Sequence, residues 1–503
     1  MRAPRTRLAA TAAALALVCF AAAAPHASRD APTLAALQAS LGDLLAREGR
    51  FRDAIAPYER AYAGSEGERR VEVGQELVKS LLRAAEFRRA REVAYDVALA
   101  SPSDPESIAL EADTLWAAGL FDEAEASYRR ALQVDAQTPR ARNGLARSLL
   151  SRGDLAQAQA EAHAAILAEP WEPDWHHTMG TIFQAERRYA DAARAYARYV
   201  SLLPYRQTSE TALWAIQQVK FLSAFGNREP MRARRGPANG VRRGPFRLER
   251  DKIVVSARVN GAREIPFVVD TGAEMTVVTQ PVAERHGVRP EVYTLTAGVG
   301  ALGMRSVLKG RMERFQVGTL DLEHVPTLIK SPPLGAMASE AESFNPIAFG
   351  LSLEIDYRNR VLVMTRALDD EGGELERLPM RVHRLALVRG LINRDNPAPF
   401  VVDTGGQVIS ISRSTAAALQ LRPPRHIPLK VYGVSGIDHE AFLMPGLDLA
   451  FDRVQLKNTA VAVLNLDAPS ALLGLDLGGI VGHKFLSKYR VAIDLARSEM
   501  RLR

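Results

Sequence analysis

The sequence contains almost no cysteine: Cys19 is the single one among 503 residues. It lies in an apolar N-terminal run that we expect to be removed, so the mature chain would carry no thiol. This absence excludes disulfides, a cysteine nucleophile and a thiolate metal site, and the mature fold must be held by packing alone. The chain also lacks a His-Glu-x-x-His metal spacing, and no Gly-x-Ser-x-Gly surrounds Ser410 or Ser412 as in serine hydrolases. No metal or other cofactor is expected.

Positive charge is in excess but is concentrated in one place. The formal net charge of +7 indicates attraction to anionic partners only where the charge is clustered. The densest cluster lies among glycines and prolines at residues 224–245, and no aromatic residues interleave with it, so nucleic-acid binding is not expected. A solvated linker is the interpretation we prefer for this stretch. The arginines concerned are Arg228, Arg232, Arg234, Arg235, Arg242 and Arg243.

The N-terminus has the pattern of a secretory signal peptide. Arg2, Arg5 and Arg7 precede an apolar run from Leu8 to Ala24, and small residues suitable for cleavage follow. A retained membrane anchor is the weaker alternative, because the run is dominated by alanine and is barely long enough to span. We therefore predict a signal peptide at residues 1–27 and export to the periplasm or the medium. After cleavage, no membrane-spanning segment is expected.

The chain is too long for one compact domain, and its first half repeats. A large apolar residue recurs at spacings of 36, 34, 34 and 34, and an alanine follows three residues after each. Glycines at inferred turns precede three of these residues, and prolines end three of the units. The series comprises Phe51, Phe87, Phe121, Leu155 and Tyr189; Ala54, Ala90, Ala124, Ala158 and Ala192; Gly49, Gly119 and Gly153; and Pro102, Pro170 and Pro204.

This period and its small-residue positions resemble the tetratricopeptide repeat. The resemblance implies an all-α solenoid over residues 33–223, whose concave face would bind a protein partner. Trp214 and Phe221 are expected on a helix that caps the last repeat. Helical spacing favours a place in the repeat core, rather than in a ligand-contacting stripe, for Trp175, Tyr196 and Tyr199.

The second half contains one short pattern twice. Residues 267–273 read Phe-Val-Val-Asp-Thr-Gly-Ala, and residues 400–406 read Phe-Val-Val-Asp-Thr-Gly-Gly. Each apolar triplet predicts a buried strand that ends at an aspartate, and the glycine permits a sharp turn after it. One such loop would be an ordinary turn in which the aspartate caps local N–H groups. Two copies, with Asp270 and Asp403 separated by 133 residues, indicate a shared role.

Further matches between the two halves extend this duplication. Each half ends in a β-like run with an internal aspartate, Asp356 or Asp494, for which we expect a surface or edge role. Duplication of a whole β domain explains all the matches, so we predict two all-β lobes, at residues 246–366 and 376–503. Each lobe also carries a glycine-containing hairpin after its aspartate, marked by Gly300 and Gly303 or by Gly433 and Gly436.

These features resemble the retropepsin-like aspartic peptidases. The resemblance implies that Asp270 and Asp403 are the catalytic pair and that the glycine hairpins are flaps over a protein or peptide substrate. Two facing carboxylates cannot both ionise easily, so they share a proton and can act as acid and base. Residues of the two loops would hold the pair in place: Thr271, Gly272, Thr404 and Gly405.

The sequence departs from that family in two places. Gly482 lies 12 residues before Asp494, but Phe344 occupies the corresponding place before Asp356, and Gly406 stands where the family prefers alanine. Two functions therefore remain open. The first is an exported aspartic endopeptidase whose repeats recruit a substrate or partner, and the second is a non-catalytic protein-binding scaffold on a degenerate peptidase fold. Because both aspartates are retained, we favour the peptidase.

Overall fold

The computed structural model describes residues 33–204, 210–235, 242–300, 303–330, 342–369, 376–423, 425, 427–433 and 435–503. The predicted signal peptide and most of the acidic connection between the lobes lie outside these residues. Within the described part, no helix combines the length and the apolar character needed to cross a membrane.

The first half is a series of paired helices, as the repeat predicts. The period is visible in the helix starts, since the recurring apolar residue opens the second helix of every pair. The helices are α1 (Leu34–Arg47), α2 (Phe51–Ala63), α3 (Gly67–Arg83), α4 (Phe87–Ala100), α5 (Pro105–Ala117), α6 (Phe121–Val134), α7 (Pro139–Ser151), α8 (Leu155–Ala168), α9 (Pro173–Ala185), α10 (Tyr189–Leu202) and α11 (Glu210–Ser223).

Small residues let these helices pack closely. The recurring alanines are fully buried, and a Cβ on Gly144 would lie 2.1 Å from a ring carbon of Tyr128 in the preceding pair. Gly119 turns the chain between α5 and α6 with a φ of 73°. Ala85 and Arg187 adopt the same left-handed conformation at the turns that lack glycine, a strain that the surrounding repeat must offset. The predicted core aromatics of the last repeat are buried, and α11 packs on that repeat.

The first lobe is a closed β barrel. Strands β9, β6, β10, β5, β4 and β8 follow each other in that order, and β8 pairs with β9 to close the barrel. The elements of this part are β1 (Arg232–Arg235), β2 (Arg242–Pro245), β3 (Arg247–Glu249), β4 (Lys252–Val259), β5 (Ile265–Val269), β6 (Thr276–Thr279), α12 (Gln280–Arg285), β7 (Arg289–Ala297), β8 (Met304–Val317), β9 (Leu320–Lys330), β10 (Glu342–Phe344), β11 (Ser352–Asp356) and β12 (Val361–Thr365).

The second lobe repeats this topology. Strands β21, β16, β22, β15, β14 and β20 follow in order, and β20 pairs with β21 to close the barrel. Its elements are β13 (Glu376–His383), β14 (Leu385–Ile392), β15 (Asn396–Val402), β16 (Ser410–Ser412), α13 (Arg413–Ala418), β17 (Ile427–Pro428), β18 (Val431–Gly433), β19 (Gly436–Asp438), β20 (Phe442–Phe451), β21 (Val454–Leu464), α14 (Asp467–Leu473), β22 (Gly479–Val481), α15 (His483–Leu486), β23 (Val491–Asp494) and β24 (Glu499–Leu502).

The lobes are joined by a sheet to which both contribute, in the order β13, β24, β23, β11, β12 and β2. This sheet corrects two expectations. Asp494 is fully buried and pairs with Arg497 and Arg501, so it has no surface role. The arginine-rich stretch is not only a solvated linker, because β1 pairs with β9 and β2 pairs with β12. Backbone pairing requires no apolar side chains at a sheet edge, so composition alone did not predict these strands.

The helical half packs against the second lobe through the turns that join the two helices of a pair. The Asp476 amide donates to the Ala117 carbonyl at 2.7 Å, and the Ser498 hydroxyl donates to the Arg152 carbonyl at 2.8 Å. Arg381 of the lobe pairs with Asp122 at the start of α6. One apolar cluster runs across this interface, with buried members from both sides that include Trp116, Phe121, Leu145, Leu387, Leu464 and Leu475.

Candidate active site

Asp270 and Asp403 lie at equivalent places in the two barrels. Each follows the last residue of an apolar strand, β5 or β15, that runs parallel to a short partner strand. The amide of Asp270 donates to the Phe344 carbonyl and the amide of Asp403 donates to the Val481 carbonyl, both at 3.0 Å. The loops that carry the aspartates therefore leave their sheets in the same way and meet between the lobes.

The two threonines that follow the aspartates bind the loops together. The Thr271 hydroxyl donates to the Val402 carbonyl at 2.6 Å and accepts from the Thr404 amide at 3.0 Å. The Thr404 hydroxyl donates to the Val269 carbonyl at 2.7 Å and accepts from the Thr271 amide at 3.1 Å. Both threonines are fully buried, so this reciprocal set of four bonds fixes the loops without competition from water.

The carboxyl groups lie close together because glycines surround them. A Cβ on Gly272 would lie 2.5 Å from the carboxyl carbon of Asp403, and a Cβ on Gly405 would lie 2.6 Å from Oδ1 of Asp270. Either alanine would collide with the opposite carboxyl group. The glycine amides also act as donors, from Gly272 to Asp270 at 3.1 Å and from Gly405 to Asp403 at 2.8 Å.

The second loop has Gly406 where alanine was expected, and its contacts with Asp403 explain the difference. Its amide donates to Oδ1 of Asp403 at 2.8 Å, and a Cβ there would lie 2.8 Å from Oδ2 of the same carboxyl group. The corresponding Ala273 amide donates to the backbone carbonyl of Asp270 instead, at 3.3 Å. The two aspartates therefore have different surroundings, with two glycine N–H donors at Asp403 and one at Asp270.

Burial raises the pKa of the Asp403 carboxyl to about 7, and the charge of Asp270 contributes to the rise. The amides of Gly406 and Gly405 oppose this rise, because they stabilise the ionised form. A hydrogen bond between the side chains of Asp403 and Asp270 favours the protonated form. The Asp403 carboxyl therefore keeps its proton to a higher pH than an ordinary aspartate does.

The two glycine hairpins meet at their tips. Ser435, which is fully buried between Gly433 and Gly436, donates from its hydroxyl to the Gly303 carbonyl at 2.6 Å and accepts from the Gly298 amide at 3.1 Å. Its own amide donates to the Val299 carbonyl at 3.1 Å. Gly300 has a φ of 139°, and a Cβ there would lie 2.3 Å from the Ser435 backbone. The first hairpin thus lies against the second.

The sequence analysis did not identify Asn345, which occupies in the first lobe the place that Gly482 occupies in the second. Phe344 pairs with Val269 as Val481 pairs with Val402, so Asn345 is the structural counterpart of Gly482. Its amide nitrogen donates to the Ala273 carbonyl at 2.7 Å, which supports the loop that carries Asp270. Asn345 lies 11 residues before Asp356, so counting back the 12 residues that separate Gly482 from Asp494 reaches Phe344 instead.

A charged bridge between the lobes lies beside the first loop. Arg384, at the turn between β13 and β14, donates to Glu274 at 2.7 Å, and Glu274 follows Ala273 directly. Arg384 also donates to the Leu472 carbonyl at 3.1 Å. Within the described residues, no group of three or more His, Cys, Asp or Glu side chains converges as metal binding would require. The groups that meet at the site are the two carboxyl groups and the glycine N–H donors around them.

Comparisons with known proteins agree with this architecture. The aspartyl protease family matches residues 255–340, the gag-polyprotein putative aspartyl protease family matches residues 388–477, and the tetratricopeptide repeat matches residues 115–182. The chain thus carries tetratricopeptide repeats followed by two domains of the aspartyl protease type. No curated protein matches the sequence significantly.

Several solved structures of repeat proteins are similar to part of the chain. A thermophilic TPR protein from Thermus thermophilus is 15% identical, with 37% of this chain and 98% of that chain covered and a TM-score of 0.32. Pseudomonas aeruginosa pilF is 17% identical, with 39% and 86% covered and a TM-score of 0.28. A tetratricopeptide repeat protein from Parabacteroides merdae is 16% identical, with 38% and 72% covered and a TM-score of 0.29.

Proposed function

We propose that the chain is an aspartic endopeptidase that hydrolyses peptide bonds with Asp270 and Asp403. The observation that carries the proposal is the meeting of two equivalent carboxyl groups, of which Asp403 has a pKa raised to about 7. Each carboxyl group has glycine N–H donors that orient it, and the threonine bonds fix the loops beneath. One carboxylate and one carboxylic acid are what general acid–base hydrolysis of an amide needs.

In this mechanism, the Asp270 carboxylate removes a proton from water as the water oxygen bonds to the peptide carbonyl carbon. Asp403 simultaneously gives its proton to the carbonyl oxygen, which forms a neutral diol. The diol then returns a proton to Asp403 while Asp270 passes its proton to the amide nitrogen, and the C–N bond breaks. The products are a carboxylic acid and an amine, the pair regains its starting protonation, and no covalent enzyme intermediate forms.

The flap hairpins would cover a bound peptide. Their joined tips involve mostly backbone groups, and a cleft closed by hairpins excludes water from the carboxyl pair. A substrate must therefore be an extended or unfolded segment that enters when the tips separate. This requirement favours unfolded proteins over compact ones.

We also propose export and partner recruitment, as expected from the sequence. The N-terminal residues 1–27 support a periplasmic or secreted location, and N-terminal sequencing of the mature protein would test it. The helical half supports binding of a protein partner, because tetratricopeptide repeats form protein-binding surfaces. Recovery of Met1 or Arg2 at the mature N-terminus would contradict export.

The alternative function, a non-catalytic binding scaffold, is favoured by the replacement of glycine by Asn345. One assay separates the two functions: purified mature protein is incubated with an unfolded protein from pH 3 to 8, and fragments are measured by mass spectrometry. The peptidase predicts fragments with the wild type and none with Asp403→Asn. Intact substrate at every pH with folded wild type would leave only the scaffold.

A further inference from the structure

Lys309 lies at the base of the first flap and is buried against the helical half. It belongs to β8, where it pairs with Val292 of β7 and Leu328 of β9. Its side chain donates from Nζ to Oε1 of Gln218 in α11 at 3.0 Å. The Nζ atom also lies 4.1 Å from the centre of the Phe221 ring in the same helix. A lysine is rarely buried to 4% exposure unless a specific partner compensates it.

Arg311 repeats this contact two residues further along β8. Its Nη1 donates to the Ala224 carbonyl at 3.3 Å, and its guanidinium lies 5.4 Å from the Phe225 ring centre. Residues two apart on a strand share one face at a separation of about 6.6 Å, and the ring centres of Phe221 and of Phe225, which lies in the turn directly after α11, are 5.3 Å apart. The two cations of β8 therefore match the rings of Phe221 and Phe225 in spacing.

Gln218 continues the contact into the last repeat. Its Nε2 donates to Oε1 of Gln184 in α9 at 2.6 Å, while its Oε1 accepts from Lys309. The nitrogen and the oxygen of this buried side-chain amide therefore both have hydrogen-bond partners. The hydrogen bonds connect α9, α11 and the flap strand in one path.

Charged groups beside the first aspartate loop also act on the Lys309 ammonium. Burial lowers the pKa of Lys309 to about 7, the Glu274 carboxylate raises it, and Arg384 lowers it. Glu274 and Arg384 are the bridge beside the first aspartate loop. Lys309 thus lies against α11 on the strand that leads to the flap tip, within electrostatic range of that bridge.

We propose that Lys309 is a positioning residue through which α11 of the helical half holds the first flap over the carboxyl pair. The inference rests on the proposed peptidase activity for its catalytic consequence. The second flap, β18 and β19, forms a separate two-stranded sheet. Its tip is fixed to the first flap by Ser435, so fixing the base of the first flap fixes both tips.

The test compares Lys309→Met and Lys309→Arg with wild type and with Arg389→Met as a control elsewhere on the contact with the helical half. Arg389 pairs with Glu123 at 2.6 Å, so the control also removes a cation that joins the second lobe to the helical half, but away from the flaps. Hydrogen exchange of residues 289–317, Tm, kcat and KM are measured for each. Exchange does not require activity, so it tests positioning even if no cleavage is found.

Lys309→Met should raise flap exchange about tenfold and raise KM for a peptide by a similar factor, with a smaller change in kcat. Lys309→Arg should restore both, because a guanidinium can donate to Gln218 and lie on Phe221 as Arg311 lies on Phe225. Arg389→Met should change neither. If Lys309→Met fails to fold, Gln218→Met, which removes the acceptor, should give the same rise in exchange.

Unchanged flap exchange in a folded Lys309→Met protein would overturn the proposal, as would failure of Lys309→Arg to restore it. An equal rise in Arg389→Met would also overturn it, since the effect would then be general loosening of the interface. If Lys309→Met raises flap exchange but the wild-type protein cleaves nothing, the positioning role is supported and the peptidase function is refuted. The two failures are thus distinguishable.

Discussion

At the scale of single residues, the asymmetry between the two aspartates assigns their proposed roles. Asp403 is the member whose pKa is raised to about 7, chiefly by burial and then by the nearby charge of Asp270. The resemblance predicted a shared proton but not which residue holds it. That difference depends chiefly on burial, which raises the pKa of Asp403 against the opposing N–H donors of Gly405 and Gly406, and only the folded structure brings these groups into place.

Activity should therefore depend on pH with an alkaline limb near pH 7. Below about pH 7 Asp403 keeps its proton and can donate it, and above that pH kcat/KM should fall about tenfold per unit. A profile of kcat/KM between pH 4 and 9 checks this. Full activity retained at pH 9 would show that Asp403 is not the acid.

The same shift predicts a pH dependence of stability. The raised pKa means that the folded state binds a proton that the unfolded state has lost, so this contribution is complete below the unfolded pKa and disappears as pH rises through about 7. Wild type should thus lose free energy of unfolding between pH 4 and 7 relative to Asp403→Asn. Denaturant titrations of both proteins at pH 4, 5.5 and 8 measure it, and parallel curves would contradict the shift.

At the scale of elements, the flap hairpins close the site through contacts between their tips. Val299→Cys combined with Gly433→Cys should join them. A Cβ on Gly433 would lie 2.8 Å from Cβ of Val299 and 2.1 Å from the Val299 carbonyl oxygen, so the tips must move apart by about 1 Å, which also gives disulfide geometry. The mature chain should otherwise lack cysteine, so no other thiol competes. The oxidised double variant should lose cleavage, and reductant should restore it.

Cleavage by the fully oxidised double variant at the rate of the reduced form would show that substrate does not enter between the flap tips. Each single cysteine variant is the control, because it carries the same substitution without the bridge. Loss of activity in a single variant under reducing conditions would show damage from the substitution itself.

Local patterns predicted the elements better than the pairing between them. The repeat period located the helices, because helical packing depends on residues near each other in the chain, and the apolar triplets located β5 and β15. In the sheet between the lobes, β11 pairs with β23 and β12 pairs with β2, although the paired strands are distant in sequence, and no local pattern specifies such pairing. Asn345 was missed for a related reason, since a fixed offset does not allow for one residue fewer.

At the scale of the whole molecule, the helical half and the second lobe share one apolar cluster. Removing residues 33–223 would expose Leu387, Leu464 and Leu475, and burial of each such side chain stabilises the fold by about 1.5–3 kcal/mol. We predict that a fragment of residues 242–503 has a markedly lower Tm than the full chain or aggregates. Calorimetry of the two proteins checks this.

A single unfolding transition of the full mature chain would agree with this shared core, and a fragment with the Tm of the full chain would contradict it. Replacement of Arg389 by Met is the milder comparison, because it removes one exposed ion pair and should lower Tm little.

If both aspartates belong to one site within one chain, a mixture of two single variants cannot regain cleavage. Asp270→Asn and Asp403→Asn should each abolish cleavage as fully as the double variant, because the pair acts as a unit. An equimolar mixture of the two should stay inactive, since each chain keeps its own damaged pair. Recovery of activity on mixing would show that lobes pair between chains, and substantial activity in either single variant would contradict the shared pair.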